Sequence, residues 1–327
     1  MKAKVVRIAV AVTVAIAAGV IAAGNVAAQA WPTKAVRAIV PFTPGSGTDI
    51  AARSMSDRLS AQIGQQVIIE NRPGAGGTIG AALVAKSDPD GHMLLIHSSA
   101  HTVNPWIYSS LPYDTLRDFS GVTPIVSLPN VLVIAPSKGI RSVRDLIAAG
   151  KAKPGEINYA SAGAGSATHL NAEKFRIQAG FEGTHIPYKG SPEAITEVVT
   201  GRVDYFFSPV VSGLSQIRDG RLLALAVGSA KRSSVLPDVP TTVEAGVPAS
   251  DYNFWVGVLV PSRTPRDIIN RMNGEISKAL ASPDVRERLA KLGAEPMPMS
   301  PEQFDAYIRD EIVVNEKIIK AAGIKGN

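Results

Sequence analysis

The chain has 327 residues and no cysteine, which excludes a disulfide framework, a thiolate metal site and a cysteine nucleophile. Its formal charge of +6 includes Lys2, Lys4 and Arg7, so the chain beyond them carries a mild +3. Those charges are mixed, with no Lys/Arg run suited to nucleic acid, and the length suits two domains.

In chain order the N-terminus comes first. Lys2, Lys4 and Arg7 precede an apolar run from Ile8 to Ile21, and small residues follow, ending in Ala28-Gln29-Ala30. That order predicts a secretory signal peptide over residues 1–30, cut after about Ala30, and a mature periplasmic protein starting at Trp31. The apolar run is short for a bilayer span and lacks a basic stop-transfer flank.

A strand is predicted at residues 36–40, followed by the turn Pro41-Phe42-Thr43-Pro44-Gly45-Ser46-Gly47-Thr48-Asp49. Ala52, Met55, Leu59 and Ile63 then recur on one helix face, and Gly64 stops the helix. A strand at 66–70, a turn at 71–77, a helix at 79–86 and a strand at 93–97 complete a βαβαβ unit. The same order returns about 117 residues later. It comprises a strand at 156–160, a Gly-rich turn at 161–168, a helix stopped by Gly180, a strand at 185–188, a helix at 193–200 and a strand at 203–207. Residues 131–135 read as a crossover strand between the two units and 254–260 as the return. Thr264-Pro265, Ser282-Pro283 and the capping-box pattern Ser300-Pro301-Glu302-Gln303 open C-terminal helices that should pack back on the first unit.

Two such units predict an α/β fold of two domains, each a mostly parallel sheet flanked by helices. The boundaries are 31–127 with 255–327 for domain 1 and 128–254 for domain 2. Each unit puts a Gly-rich turn at the carboxyl end of its first strand, where open α/β sheets bind ligands. If the domains face each other, two helix N-termini meet in one cleft, and free amides and helix dipoles there suit a carboxylate.

The chain carries Ile39-Val40-Pro41-Phe42-x-x-Gly45-x-Gly47-x-Asp49, Glu70-Asn71-Arg72-Pro73-Gly74-Ala75-Gly76-Gly77 and Asp88-Pro89-Asp90-Gly91. Further marks are Leu111-Pro112-Tyr113-Asp114, Gly165-Ser166-x-x-His169-Leu170, Pro187-Tyr188-Lys189-Gly190 and Leu236-Pro237-Asp238-Val239-Pro240-Thr241. On these motifs it resembles the Bug family of extracytoplasmic receptors, the solute-binding proteins of tripartite tricarboxylate transporters. The match runs from Trp31 to the end. The resemblance implies a hinge-closing receptor of the periplasmic-binding-protein type II (Venus flytrap) fold. It would grip a small mono-, di- or tricarboxylate (aliphatic, aromatic or amino acid) and hand it to membrane permease subunits. Members often carry two adjacent glycines in the first turn; here Ser46 separates Gly45 from Gly47.

The expected ligand-binding residues are Thr43, Pro44, Gly45, Ser46, Gly47, Thr48 and Asp49 in the first turn, with the Ser46 and Thr48 hydroxyls on one carboxylate. Asp49 would order the turn rather than touch an anion, since like charges repel. Ser98, Ser99 and Asn104 follow the third strand. The second unit adds Ser161, Ala162, Gly163, Ser166, Thr168 and His169, with Tyr188, Asp204 and Ser208 at strand ends. Arg53 and Lys189 could pair with a carboxylate or be ordinary surface charges. Trp31, Trp106 and Trp255 read as packing residues, and Phe206 and Phe207 cannot both face the cleft.

Enzyme signatures are incomplete. Gly45-x-Gly47 and Gly163-x-Gly165 lack the third glycine of a dinucleotide loop, no phosphate-loop ending or G-x-S-x-G elbow is present, and Ser166 with His169 forms no full triad. His97 and His101 lack an H-E-x-x-H context. The expectation is a monomeric receptor without catalytic activity, cofactor, metal or nucleic-acid partner. The alternatives are a receptor for a membrane sensor kinase and, more remotely, an exported hydrolase.

Overall fold

β-branched residues favour extended backbone, and strand β1 (Val36–Val40) forms where Val36, Ile39 and Val40 cluster. Helix α1 (Gly47–Ile63) ends at Gly64, whose φ of 71° is left-handed and whose amide returns to Ser60 O. The computed structural model describes residues 31–324, and the chain divides into two units, Met1–Thr33 and Lys34–Asn327. The predicted signal peptide lies outside the described residues. Of the first unit only Trp31–Thr33 are described, with a cis bond between Trp31 and Pro32.

Within Lys34–Asn327 the first repeat continues through β2 (Val67–Asn71), α2 (Thr78–Ala85), β3 (Met93–Ser98), α3 (Ala100–Ile107) and β4 (Phe119–Ser127). The chain crosses into β5 (Asn130–Ile134) and α4 (Val143–Ala152). The second repeat follows as β6 (Asn158–Ser161), α5 (Ala167–Ala179), β7 (Thr184–Pro187), α6 (Ser191–Val199), β8 (Tyr205–Pro209), α7 (Val210–Arg218) and β9 (Leu223–Val227). The return leads through β10 (Trp255–Pro261), α8 (Arg266–Ala281), α9 (Pro283–Lys291), β11 (Glu295–Pro296) and α10 (Pro301–Ala322).

The strands build a six-stranded sheet, β11-β4-β10-β3-β1-β2, and a five-stranded one, β7-β6-β8-β5-β9. Leaving out β11, the two orders correspond strand for strand. Each sheet receives one crossing strand antiparallel to its neighbours, β10 between β3 and β4 and β5 between β8 and β9. The repeat strands of each sheet therefore all run one way, with their carboxyl ends along one edge.

The six-stranded half buries Ile39, Leu95, Trp255, Leu259 and Phe304 together. The five-stranded half is covered on both faces, by Tyr159, Phe175 and Phe207 on one and by Val133, Phe206 and Leu214 on the other. Phe206 and Phe207 thus point opposite ways, as strand geometry requires. Helix α8 buries Met272 and Ile276, and α10 starts with the full Ser300/Gln303 capping box; both pack on the six-stranded half. Trp255 is fully buried with its Nε1 on Glu311 Oε2 at 2.7 Å, and Trp106 Nε1 donates to Ile312 O at 2.9 Å, so both are packing residues. Among the described residues no helix is long and apolar enough to cross a membrane.

Candidate functional site

The turn between β1 and α1 is braced from below. Asp49, 3 % exposed, accepts from Gly45 N at 2.9 Å, Asn71 Nδ2 at 2.9 Å and Arg53 Nε at 2.9 Å. Asn71 Nδ2 also donates to Phe42 O at 2.9 Å. These bonds occupy the carboxylate, so Asp49 holds the turn, and they tie up Arg53, which the sequence offered as a ligand partner. Ile50 N makes the first intrahelical bond, to Ser46 O. Among the described residues no acceptor meets the amides of Gly47, Thr48 and Asp49, which are the free donors of a helix start.

The turn between β6 and α5 rests on a buried polar stack. Ser161 Oγ accepts from Gly163 N at 3.0 Å and meets His185 Nε2 at 2.6 Å. His169 Nδ1 accepts from Gly165 N at 3.1 Å, which requires that nitrogen to be unprotonated. The His169 and His185 rings stack with centroids 3.8 Å apart. Burial pushes both down to about 3, with Arg176 disfavouring a charged His169 and His169 a charged His185. Beneath them Glu173 binds Tyr159 OH and pairs with Arg176 at 2.7 Å. Thr168 Oγ1 accepts from Ala162 N at 2.9 Å, and Ser166 Oγ caps His169 N at 3.3 Å. The amides of Ala167 and Thr168 find no acceptor among the described residues.

Both helix starts line one narrow cavity of about 10 Å³, room for about one water, between the sheets' carboxyl edges. Ser46, Gly47 and Thr48 face it from α1, and Ser166, Ala167 and Thr168 from α5. Ser98 at the end of β3, Ala162, and Ser191 at the start of α6 complete the polar side, while Phe42, Pro209 and Phe254 supply apolar walls. The lining contains no Asp, Glu, Lys, Arg or His. An anion held there would rely on amides, hydroxyls and the positive ends of two helices.

Of the residues expected from the sequence, Ser46, Gly47, Thr48, Ser98, Ala162, Ser166 and Thr168 line the cavity. Thr43, Pro44 and Gly45 stand at its rim. There Thr43 Oγ1 donates to Glu193 Oε2 at 3.1 Å, and Gly45 O accepts from Ser212 Oγ at 3.0 Å. Ser161, Gly163 and His169 support the second turn. Ser99 Oγ accepts from Tyr252 OH at 3.2 Å, and Asn104 Nδ2 donates to Gly76 O at 3.3 Å. Tyr188 N bonds Ser161 O, and Ser208 Oγ turns to Pro209 O.

Asp204 is misplaced by the sequence reading. It precedes the first residue of β8, donates its amide to Asn158 O and pairs with Lys138 at 2.6 Å. It therefore sits at the amino edge of the sheet, the length of β8 away from the cavity. Reasoning from sequence missed Phe42, Ala167, Ser191, Pro209 and Phe254 as walls. Pro209 and Phe254 carried no local signal, whereas Ser191, next to Gly190 at a helix start, repeats the pattern that marked the other turns.

A family model described as "Tripartite tricarboxylate transporter family receptor" matches residues 51–324. The chain belongs to this receptor family. Three solved structures are similar over nearly the whole chain. A Rhodopseudomonas palustris protein solved with adipate is 36% identical with a TM-score of 0.87, covering 90% of this chain and 99% of its own. The periplasmic binding protein BugD is 30% identical with a TM-score of 0.87, covering 91% and 100%. MatC from Rhodopseudomonas palustris, with bound malate, is 30% identical with a TM-score of 0.84, covering 88% and 100%. The family consists of periplasmic solute-binding proteins, so this receptor is a binding protein and not an enzyme.

Proposed function

We propose that this receptor captures a small organic carboxylate in the cavity between its sheets and delivers it to the membrane subunits of a tripartite tricarboxylate transporter. The observation that carries the reading is the pair of helix starts, from opposite halves, lining one cavity with unpaired amides. Each helix start carries roughly half a positive charge, and each free amide can donate to a carboxylate oxygen. The adipate and malate bound by similar proteins support an organic acid as ligand. The cavity residues, with Thr43, Pro44, Gly45 and Asp49 around the first turn and Ser161, Gly163 and His169 beneath the second, form the proposed binding site.

Residues 31–127 with 255–327 and residues 128–254 act as two lobes that close on the ligand. The hinge is the pair of crossings at Leu128-Pro129 and Phe254, which lie side by side, Leu128 N donating to Phe254 O at 2.7 Å. The receptor works as a monomer without a cofactor, and the signal peptide, cut near Ala30, exports it.

A thermal-shift screen of mono-, di- and tricarboxylates, aromatic acids and acidic amino acids tests the reading. A ligand at about 100 times its Kd adds ~2.7 kcal/mol to the folded state, enough to raise the melting midpoint by several degrees. A midpoint unmoved by every acid would remove the carboxylate, and chemical turnover of any acid would remove the receptor.

A further inference from the structure

Helix α6 begins without a cap of its own. Its N-cap residue is Gly190, which has no side chain to receive a first-turn amide. A side chain there is excluded in any case, because a Cβ on Gly190 would overlap Thr43 Oγ1 and lie 2.7 Å from Ser46 Oγ, both on the opposite half. The cap comes from Ser46, and Thr43 adds a side-chain bond beside it. Ser46 Oγ accepts from Ser191 N, the first residue of α6, at 3.2 Å. Thr43 Oγ1 donates to the Glu193 carboxylate, two residues further on, at 3.1 Å.

Ser46 is itself the N-cap residue of α1, yet its side chain makes no bond to that helix. Ser166, which holds the corresponding place before α5, does cap its own helix. The Ser46 side chain has thus turned from its own helix to one in the other half. Ser191 is 1 % exposed and lines the cavity, so one residue stands at the ligand site and also gives its amide to Ser46.

We infer that Ser46 is a closure residue, capping α6 across the cleft when the halves meet and so setting how long a solute stays bound. The inference rests on the receptor reading above. Opening leaves the Ser191 amide to water, so the cap favours the closed form by itself. Release requires opening, whereas encounter occurs in the open form. The cap therefore acts on koff far more than on kon.

The test uses Ser46→Ala and Ser46→Thr in the whole mature protein, with an acid found by the thermal screen. Stopped-flow binding should give a koff raised about 5- to 20-fold in Ser46→Ala, the range expected for a lost cap, with kon within about twofold. Ser46→Thr, which keeps the hydroxyl, should restore the wild-type value. Hydrogen exchange separates a cap from a simple ligand contact. In acid-saturated protein the Ser191 amide should lose protection in Ser46→Ala and keep it in Ser46→Thr. A raised koff with α6 protection unchanged would overturn the cap, as would a loss confined to kon. Should no acid bind, the receptor reading falls separately. The cap is then read in acid-free protein held closed by an engineered disulfide across the cleft of this cysteine-free chain, where equal Ser191 protection with and without Ser46→Ala overturns it.

Discussion

At Gly47 a single hydrogen in place of a side chain serves the meeting of the halves. A Cβ there would lie 3.0 Å from Pro209 Cβ and 3.3 Å from Leu128 Cδ1, both on the five-stranded side. Gly47→Val therefore wedges the halves apart. Overpacking of this kind costs ~1–3 kcal/mol, so calorimetry should find affinity for the bound acid reduced about 10- to 100-fold. The acid-free melting midpoint should move little, because the wedge falls between the halves rather than inside either core. Wild-type affinity in Gly47→Val would remove this account. Gly163→Val is a less clean probe, since φ is +116° there and a valine would strain the turn directly. The two turns were legible because glycine, serine and threonine at a helix start have a local physical meaning. Phe254 was not, because an apolar residue beside a strand reads as core until the opposing half is in view. Asp204 misled because it stands at an end of β8, but at the amino end rather than at the carboxyl edge that faces the cavity.

Among the elements, the strand β4 escaped the sequence because Pro124 lies inside it. Proline has no N–H for a ladder, and the pairing with β10 slips a residue beside it, where Gly257 faces Pro124 and Val256 faces Val126. Helix α3, which begins after Ser99, escaped for the same reason, because Pro105 lies inside its eight residues. The α5–β7 pair carries a consequence for pH. His169 and His185 are held neutral by burial, pushed down to about 3, and in the other half His101 is pushed down to about 4. A group whose pKa is lower folded than unfolded contributes stability above its unfolded pKa and loses it as pH falls toward the folded value. The loss should therefore begin near pH 6.5 and continue into acid, at up to about 1.4 kcal/mol per pH unit for each histidine. Urea midpoints at pH 7.5, 6 and 5 should fall in that order. His185→Phe, which keeps a ring stacked on His169, should flatten the slope. An equal slope in the variant would show that the stacked pair does not titrate with unfolding.

At the scale of the whole molecule, the balance between open and closed forms follows from what joins the halves. On the cavity side the bonds include Ser191–Ser46, Thr43–Glu193, Ser212–Gly45 and Tyr108–Ala164. The Ser191–Ser46 bond is buried and the other three are partly or fully open to solvent, and exchanging such a bond for water costs about 0.5–1.5 kcal/mol. Behind the cavity the crossings are tied to each other, by Leu128 N to Phe254 O and by Ser127 Oγ to Asn253 Oδ1 at 3.3 Å, and to the six-stranded half by Tyr252 OH to Ser99 Oγ. Rotation about the crossings therefore breaks the front set and spares the rear. The front set sums to a few kcal/mol, comparable with the ~4 kcal/mol that an acid at 1,000 times its Kd supplies. An acid that binds only between the helix starts can then move the population from open to closed. X-ray scattering should record a radius of gyration near the ~19 Å of a compact chain of this length when acid is saturating, and a larger value without it. Gly190→Ala offers the matching control, because its Cβ would overlap Thr43 Oγ1 across the gap without lining the cavity, and its extended φ of −174° accepts any residue. That variant should keep the larger radius even with acid present. A wild-type radius that acid does not change would mean that the crossings do not act as a hinge.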